Sequence, residues 1–599
     1  MFNGKTATAI LAIGLIVIGV GFGQTLEDNW NDFLHYIKIG RFDLAKGYAQ
    51  VVLQSNPDPV ELFALSQENR EGYEILLRVH EAAPDAELAE LSQKVLSIID
   101  QGRFMRRSDP KIIVEEIRRL MGGSERGRLT AVKRLRDAGE YAIPYVLDAL
   151  ADRSLKQDEL ANIIWALPQI GRPAIRPLVA ALQTENAPLK AEIIKALGKI
   201  GYPQSLAYLQ YVVEKDNSPE LRNLAGGSIR QIDRTAARVP AAVLFFRLAE
   251  QYYYQAQSLA PAEDAGFGNI WFWDSAAGRL TREEVDKNYF NELMAMRACE
   301  WALKTDPGFG QAIGLWLAAF LKAEAAGAAR MPSYFGDKHA DALVYATTAG
   351  PEYLHQALAR AIKDKNADVA LGAVEALATT AGEKSLFYTL GPAQPLLQAL
   401  SFNDRAVRYS AAIAVAEAGP RQGFAESKLV TASLADALGQ NAEMISETQR
   451  WNEELANSYA LRAAEAMLKL AETRNPVIDL SVAQSALVSA TQDKRREIQV
   501  FAGQILARLA SPDAQRAIAA MALNGNNDLD VRILAFESLA TSAKINAYML
   551  TEPIVDAIYA LISSDETEPD LRGAAAAAYG ALNLPSRKVK DLILDQARS

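Results

Sequence analysis

Trp271-Phe272-Trp273 is the stretch with the most binding chemistry in this sequence. With Phe267 it places four aromatic rings within seven positions, between turn-forming residues. Indole and phenyl rings bury large areas at little entropic cost, so such a strip contacts a partner or plugs a joint between packing layers. Both readings bury at least one tryptophan. Only a binding strip also keeps a partly exposed ring beside a groove.

Catalytic groups are sparse by comparison. The four histidines, His35, His80, His339 and His355, form no HExxH motif and no close ligand pair. The single cysteine, Cys299, removes every CxxC option and lies in an apolar helical phrase, where it reads as a small buried hydrophobe. No GxxxxGK[ST] loop is present, and Gly122-Gly123-Ser124 reads as a helix end followed by a new start. Asn524-Gly525-Asn526-Asn527-Asp528-Leu529-Asp530 approaches a calcium loop but lacks its terminal glutamate. Carboxylate pairs such as Glu115-Glu116 and Glu283-Glu284 suit the solvated faces of helices. The expectation is therefore no catalytic set, no metal ligands and no cofactor, with Phe267, Trp271, Phe272 and Trp273 as the candidate binding residues.

The chain has 599 residues and a formal net charge of −10. A protein that grips nucleic acid needs a basic face, so nucleic acid is not expected as a partner. The one basic stretch runs from Arg103 to Arg136, after a clearly acidic segment, and is either a docking face for an acidic partner or a solvated helix surface.

The elements that must position these residues are helical. Half of the sequence is hydrophobic, and β-branched alternating runs are scarce. A glycine-ended helical phrase recurs as Arg134–Gly139, Ala166–Gly171 and Ala196–Gly201, its closing glycines 32 and 30 residues apart. A period in that range means stacked helical hairpins. Proline suits the first turns at Pro144, Pro188 and Pro219, and glycine suits helix ends.

Asn403-Asp404-Arg405-Ala406-Val407-Arg408-Tyr409-Ser410-Ala411-Ala412 is the best single copy of the helix-opening unit, repeated at Asp528–Ala535 and Glu568–Ala575. These phrases resemble HEAT repeats, in particular the short bacterial kind also found in phycobilisome lyases. The resemblance implies an α-solenoid and a ladder of basic residues bridging neighbouring repeats: Arg222, Arg408, Arg532 and Arg572, with Lys190 in one earlier unit. Residues 30–57, and again 302–318, resemble tetratricopeptide repeats, through Gly40-Arg41-Phe42 and Asp306-Pro307.

Met1 to Gln24 reads as an export signal, with Lys5 before an apolar run and small residues at Gly21 and Gly23. Residues 7–22, left uncleaved, are the alternative of a membrane anchor, although a span needs roughly 20 apolar residues. The expected organisation is a signal at 1–23, tetratricopeptide-like and irregular helices at 24–107, HEAT-like repeats at 108–239, a tetratricopeptide-like region with an aromatic loop at 240–350, and HEAT-like repeats at 351–599. The function expected is a non-enzymatic scaffold, exported to the periplasm or cell envelope, that binds a protein or peptide. Two alternatives stand beside it. One is an enzyme acting on a bilin, implied by the lyase resemblance. The other is an envelope carbohydrate-binding or structural protein, with Trp271 and Trp273 stacking on sugar rings.

Overall fold

A computed structural model describes residues 25–599 except 82–85, 123, 262–265, 329–330, 333–338, 381, 442–450, 586, 588–589, 592, 595–596 and 598–599. The expected export signal lies outside the described residues. No described helix is long and apolar enough to cross a membrane. The fold is all-α, a solenoid of helical hairpins, and the chain separates into two compact units. One comprises residues up to 238 together with 261–284; the other comprises 239–260 and 285–599.

In the first unit, α1 (Leu26–Lys38), α2 (Phe42–Gln54), α3 (Pro59–Glu68), α4 (Arg70–Glu81) and α5 (Ala86–Ser108) enclose a core around Trp30, Phe33, Leu62, Leu88 and Val95. Thr25 and Asp28 cap α1 reciprocally, and Asp58 caps α3 ahead of Pro59, so sequence chemistry fixes where these helices begin. Four helix pairs follow. They are α6 (Pro110–Met121) with α7 (Glu125–Ala138), α8 (Ile143–Ala151) with α9 (Gln157–Ala166), α10 (Ile175–Ala181) with α11 (Ala187–Ile200), and α12 (Leu206–Lys215) with α13 (Pro219–Ile232). The side chains of Asn186 and Ser218 accept from the N–H of Leu189 and Leu221, capping α11 and α13 in the same way.

All three closing glycines have positive φ. Gly201 takes the left-handed helical conformation expected. Gly139 (φ 61°, ψ −126°) and Gly171 (φ 80°, ψ −149°) instead occupy a region open only to glycine, which turns the chain directly into the next 3-10 turn.

The aromatic segment expected as a loop is a strand. β1 (Phe267–Asp274) pairs with β2 (Arg279–Asp286) in the one sheet among the described residues, and β1 packs on α10. Asp274 Oδ1 accepts the N–H groups of Ala276 and Ala277 at 3.0 Å each, and Gly278 has φ 64°, closing the hairpin.

The second unit begins with α14 (Ala241–Tyr253), α15 (Lys287–Thr305) and α16 (Gln311–Ala325) and continues in hairpins to the helix Pro569–Ala581. Partly buried ionic contacts tie its first helices to one another and to the helix Pro351–Asp364. Lys322 pairs with Glu292 at 2.9 Å, and Arg360 pairs with Glu250 at 2.9 Å while donating to the Tyr254 hydroxyl at 2.8 Å. Cys299 lies fully buried in α15, and burial holds its thiol well above the ordinary range. A thiol-specific disulfide reagent is expected to label native protein at least about a hundredfold more slowly than denatured protein, at the rate at which α15 opens. Equal rates in the two states would place Cys299 at the surface.

Candidate functional site

The site forms in the first unit, where β1 meets the 3-10 turn Gly139–Ala142. Gly139 delivers Glu140 and Tyr141 to the strand. Trp271 Nε1 donates to Glu140 Oε2 at 2.8 Å, and Asn269 Nδ2 donates to Glu140 Oε1 at 2.7 Å. Arg176, from α10, reaches Glu140 Oε2 at 3.4 Å. One carboxylate therefore joins the strand, the turn and the helix behind it. Charge-assisted bonds of this kind are stronger than neutral ones, and the side chains involved are mostly shielded from water.

Tyr141 extends the cluster. Asn269 Nδ2 also donates to its hydroxyl at 2.7 Å, and Arg282 Nη1 donates to Asn269 Oδ1 at 2.8 Å. The guanidinium of Arg282 lies 5.0 Å from the Tyr141 ring centroid and that of Arg107 lies 5.4 Å away. Burial raises the phenol pKa of Tyr141, so the hydroxyl stays protonated near neutral pH.

The four aromatic residues singled out in the sequence take different places. Trp271 is 5% exposed and hydrogen-bonded, which makes it an anchor. Phe272 and Trp273 are half-buried. Phe267, also half-buried, meets Phe104 edge-on at 5.2 Å, and Phe104 meets Tyr141 edge-on at 5.4 Å. Phe104 and Glu140 were not foreseen, whereas Arg107 belongs to the basic stretch from Arg103 to Arg136. The i, i+3 spacing of Phe104 and Arg107 on α5 is the one sequence signal that joins them.

Phe104, Arg107 and Phe267 border a cavity of about 540 Å³. Its remaining lining comes mostly from α5. Gln93, Ser97 and Gln101 follow one another at i, i+4 spacing, with Leu96 and Asp100 beside them. Asp100 lies 3.3 Å from Arg103. The lining thus combines the amides of Gln93 and Gln101, the Ser97 hydroxyl and the charges of Asp100 and Arg107 with apolar Leu77, Leu96, Phe104 and Phe267. Among the described residues no group of three or more His, Cys, Asp or Glu side chains converges as a metal site. His35 is exposed, His355 is buried with Nε2 2.7 Å from the Ser385 carbonyl, His339 is half-buried, and the His80 side chain lies outside the described set.

The basic ladder takes another form than the one expected. Arg222 donates to the carbonyls of Asp216 and Asn217 at 2.8 and 3.3 Å, and Arg408 to those of Phe402 and Asn403 at 2.8 Å each. Arg532 donates to Ala522 and Arg572 to Thr567, both at 3.1 Å. Arg222, Arg408 and Arg572 each fasten the turn that leads into their own helix, and Arg532 reaches back to the last turn of the helix Pro512–Leu523 before it. Of the residues expected in the ladder, Lys190 does join neighbouring hairpins, to Asp216 at 2.9 Å; Arg496, outside the expected set, does so to Asp528 and Asp530 at 2.9 Å each.

Residues 143–230, spanning α8 to the last turn of α13, match the family described as HEAT repeats. No curated protein matches the sequence. Solved structures that align with this chain include human deoxyhypusine hydroxylase in complex with glycerol, at 14% identity over 76% of this chain and 98% of that one, with a TM-score of 0.19. Yeast importin-beta, Kap95p, matches at 13% identity over 96% of this chain and 70% of that one, TM-score 0.26. The karyopherin Kap121p bound to the SUMO protease Ulp1p matches at 10% identity over 93% and 53%, TM-score 0.26. At TM-scores this low none of the three carries an argument about this chain.

Proposed function

We propose that this chain, with HEAT repeats over residues 143–230, is a non-enzymatic scaffold that holds an extended segment of a protein partner. The observation that carries this reading is the lining of the cavity beside Phe104 and Phe267. Amides at Gln93 and Gln101 and the Ser97 hydroxyl suit the N–H and C=O groups of a peptide backbone. The apolar lining of Leu77, Leu96, Phe104 and Phe267 suits one side chain of it. Export to the periplasm or cell envelope belongs to the same proposal. It rests on residues 1–24, and a mature N-terminus at Gln24, read by mass spectrometry, is its check.

Peptide display against the full chain tests the binding role. The expected outcome is a set of selected peptides sharing one apolar position. Substituting Ser97→Ala with Gln101→Ala, two exposed positions on α5, is expected to weaken a selected peptide about tenfold. Selected peptides that bind this double variant as tightly as the wild type would place recognition elsewhere. The carbohydrate alternative needs two accessible indole faces, and Trp271 is buried and bonded. A bilin-handling activity rests on the repeat resemblance alone.

A further inference from the structure

The second helices of the HEAT pairs carry exposed groups that neither the cavity nor the hairpin uses. Trp165, near the end of α9, is 44% exposed, whereas the other six tryptophans are buried or half-buried. Its neighbours are fixed by contacts on both sides. Gln169 Nε2 donates to the Trp165 carbonyl at 3.0 Å, and Arg136 Nε donates to the Gln169 carbonyl at 3.0 Å, which brings the end of α7 alongside. On the other side a narrow cleft is lined by Ile164 and Pro168 together with Glu192, Lys195 and Lys199 of α11. Lys133 and Leu129 precede Arg136 at helical spacing on the same face of α7, and Leu129 is 55% exposed.

Exposed Lys133 and Arg136 on α7 and exposed Lys195 and Lys199 on α11 thus stand on the two helices that flank the exposed indole, with Leu129 exposed on α7. Glu192 neutralises one of these charges through Lys195, at 2.7 Å. The local excess is positive on a chain whose net charge is −10. Tryptophan and arginine are enriched at interface centres, and lysines suit the charged rim around them.

We propose that the face formed by α7, α9 and α11 around Trp165 is a docking site for an acidic peptide segment of a protein partner. Carboxylates of the segment meet Lys133, Arg136 and Lys199, and an apolar side chain lies on Trp165 and Leu129. Complementarity of charge selects this occupant, because four cations interrupted by Glu192 and by the exposed Asp137 do not make the continuous basic track that a phosphate backbone needs. The site uses none of the cavity residues and stands whether or not the cavity holds a peptide.

The test is fluorescence anisotropy with the full chain and a short fluorescein-labelled peptide in which aspartates and glutamates flank a single leucine. Saturable binding at low ionic strength is expected. Trp165→Ala is expected to weaken it about tenfold, and Lys133→Glu with Lys199→Glu by about tenfold or more, the second loss shrinking as salt rises. Trp165, Lys133 and Lys199 are all exposed, so an unaltered melting curve separates lost binding from lost structure. The proposal is overturned by absence of saturable binding to the wild type or by unchanged affinity in both variants. It is equally overturned by tighter binding of a single-stranded oligonucleotide of the same net charge that suffers the same two losses.

Discussion

Gly102→Ala is expected to destabilise the first unit by about 2 kcal/mol or more, although alanine is the better helix former. Gly102 lies well inside α5, where replacing glycine by alanine ordinarily stabilises a helix by about 1 kcal/mol. Here the added methyl carbon would stand 1.8 Å from the Pro59 carbonyl oxygen, 2.4 Å from its carbon and 2.9 Å from Phe63 Cβ. The obstacle is backbone, which no rotamer change moves, so α5 must shift away from the start of α3. Overpacking of this sort costs about 3 kcal/mol, and it opens the core that Leu62, Val95 and Ile99 share. Gly47→Ala is the matching control. Gly47 is also inside a helix, α2, but a methyl group there meets nothing within 4 Å. That substitution is expected to stabilise by about 0.5–1 kcal/mol. Chemical denaturation of both variants measures the pair. If the two move in the same direction, helix propensity rather than the contact of α5 with Pro59 governs the position.

Glu140→Ala is expected to cost about 3 kcal/mol and to release β1. The substitution leaves the Trp271 indole N–H and one N–H of Asn269 without their acceptor, and each orphaned buried donor costs about 1–3 kcal/mol. Arg176 loses its carboxylate as well. Glu140→Gln is expected to lie between, because its single amide oxygen accepts from one of the two donors while its NH2 group faces the other. Trp271→Phe is expected to cost about 1 kcal/mol, since Glu140 keeps Asn269 and Arg176. Hydrogen exchange of the β1 amides, read with equilibrium denaturation, tests the series. Alanine and glutamine behaving alike, with β1 still protected, would mean that packing on α10 holds the strand and the carboxylate does not.

Much of the helical frame was legible because its signals are local. The glycines at 139, 171 and 201 ended helices as their spacing predicted, and Asp404 and Ser218 cap the helices they precede. The hairpin was missed for a physical reason. Asp274 to Gly278 is a turn between two strand-length runs, but one run is rich in aromatics and the other in charge, so neither shows clean alternation of polar and apolar residues. The anchor was out of reach for another. Glu140 and Trp271 are 131 positions apart, and only folding brings them to 2.8 Å. The cavity shares that difficulty, since α5 and Phe267 come from distant parts of the chain. The partners of the arginines at 222, 408, 532 and 572 are carbonyls close by in sequence, where the repeat resemblance implied a bridge to the next hairpin.

Those nearby partners bear on how such a chain changes over generations. An arginine that fastens its own turn carries its hydrogen-bonding requirements with it when the surrounding thirty-odd codons are duplicated, deleted or moved. A newly copied hairpin arrives already braced and has only to match an apolar flank at each side. Chain length in this architecture can then drift in whole steps, while substitutions at exposed positions such as Trp165 diversify what each step recognises.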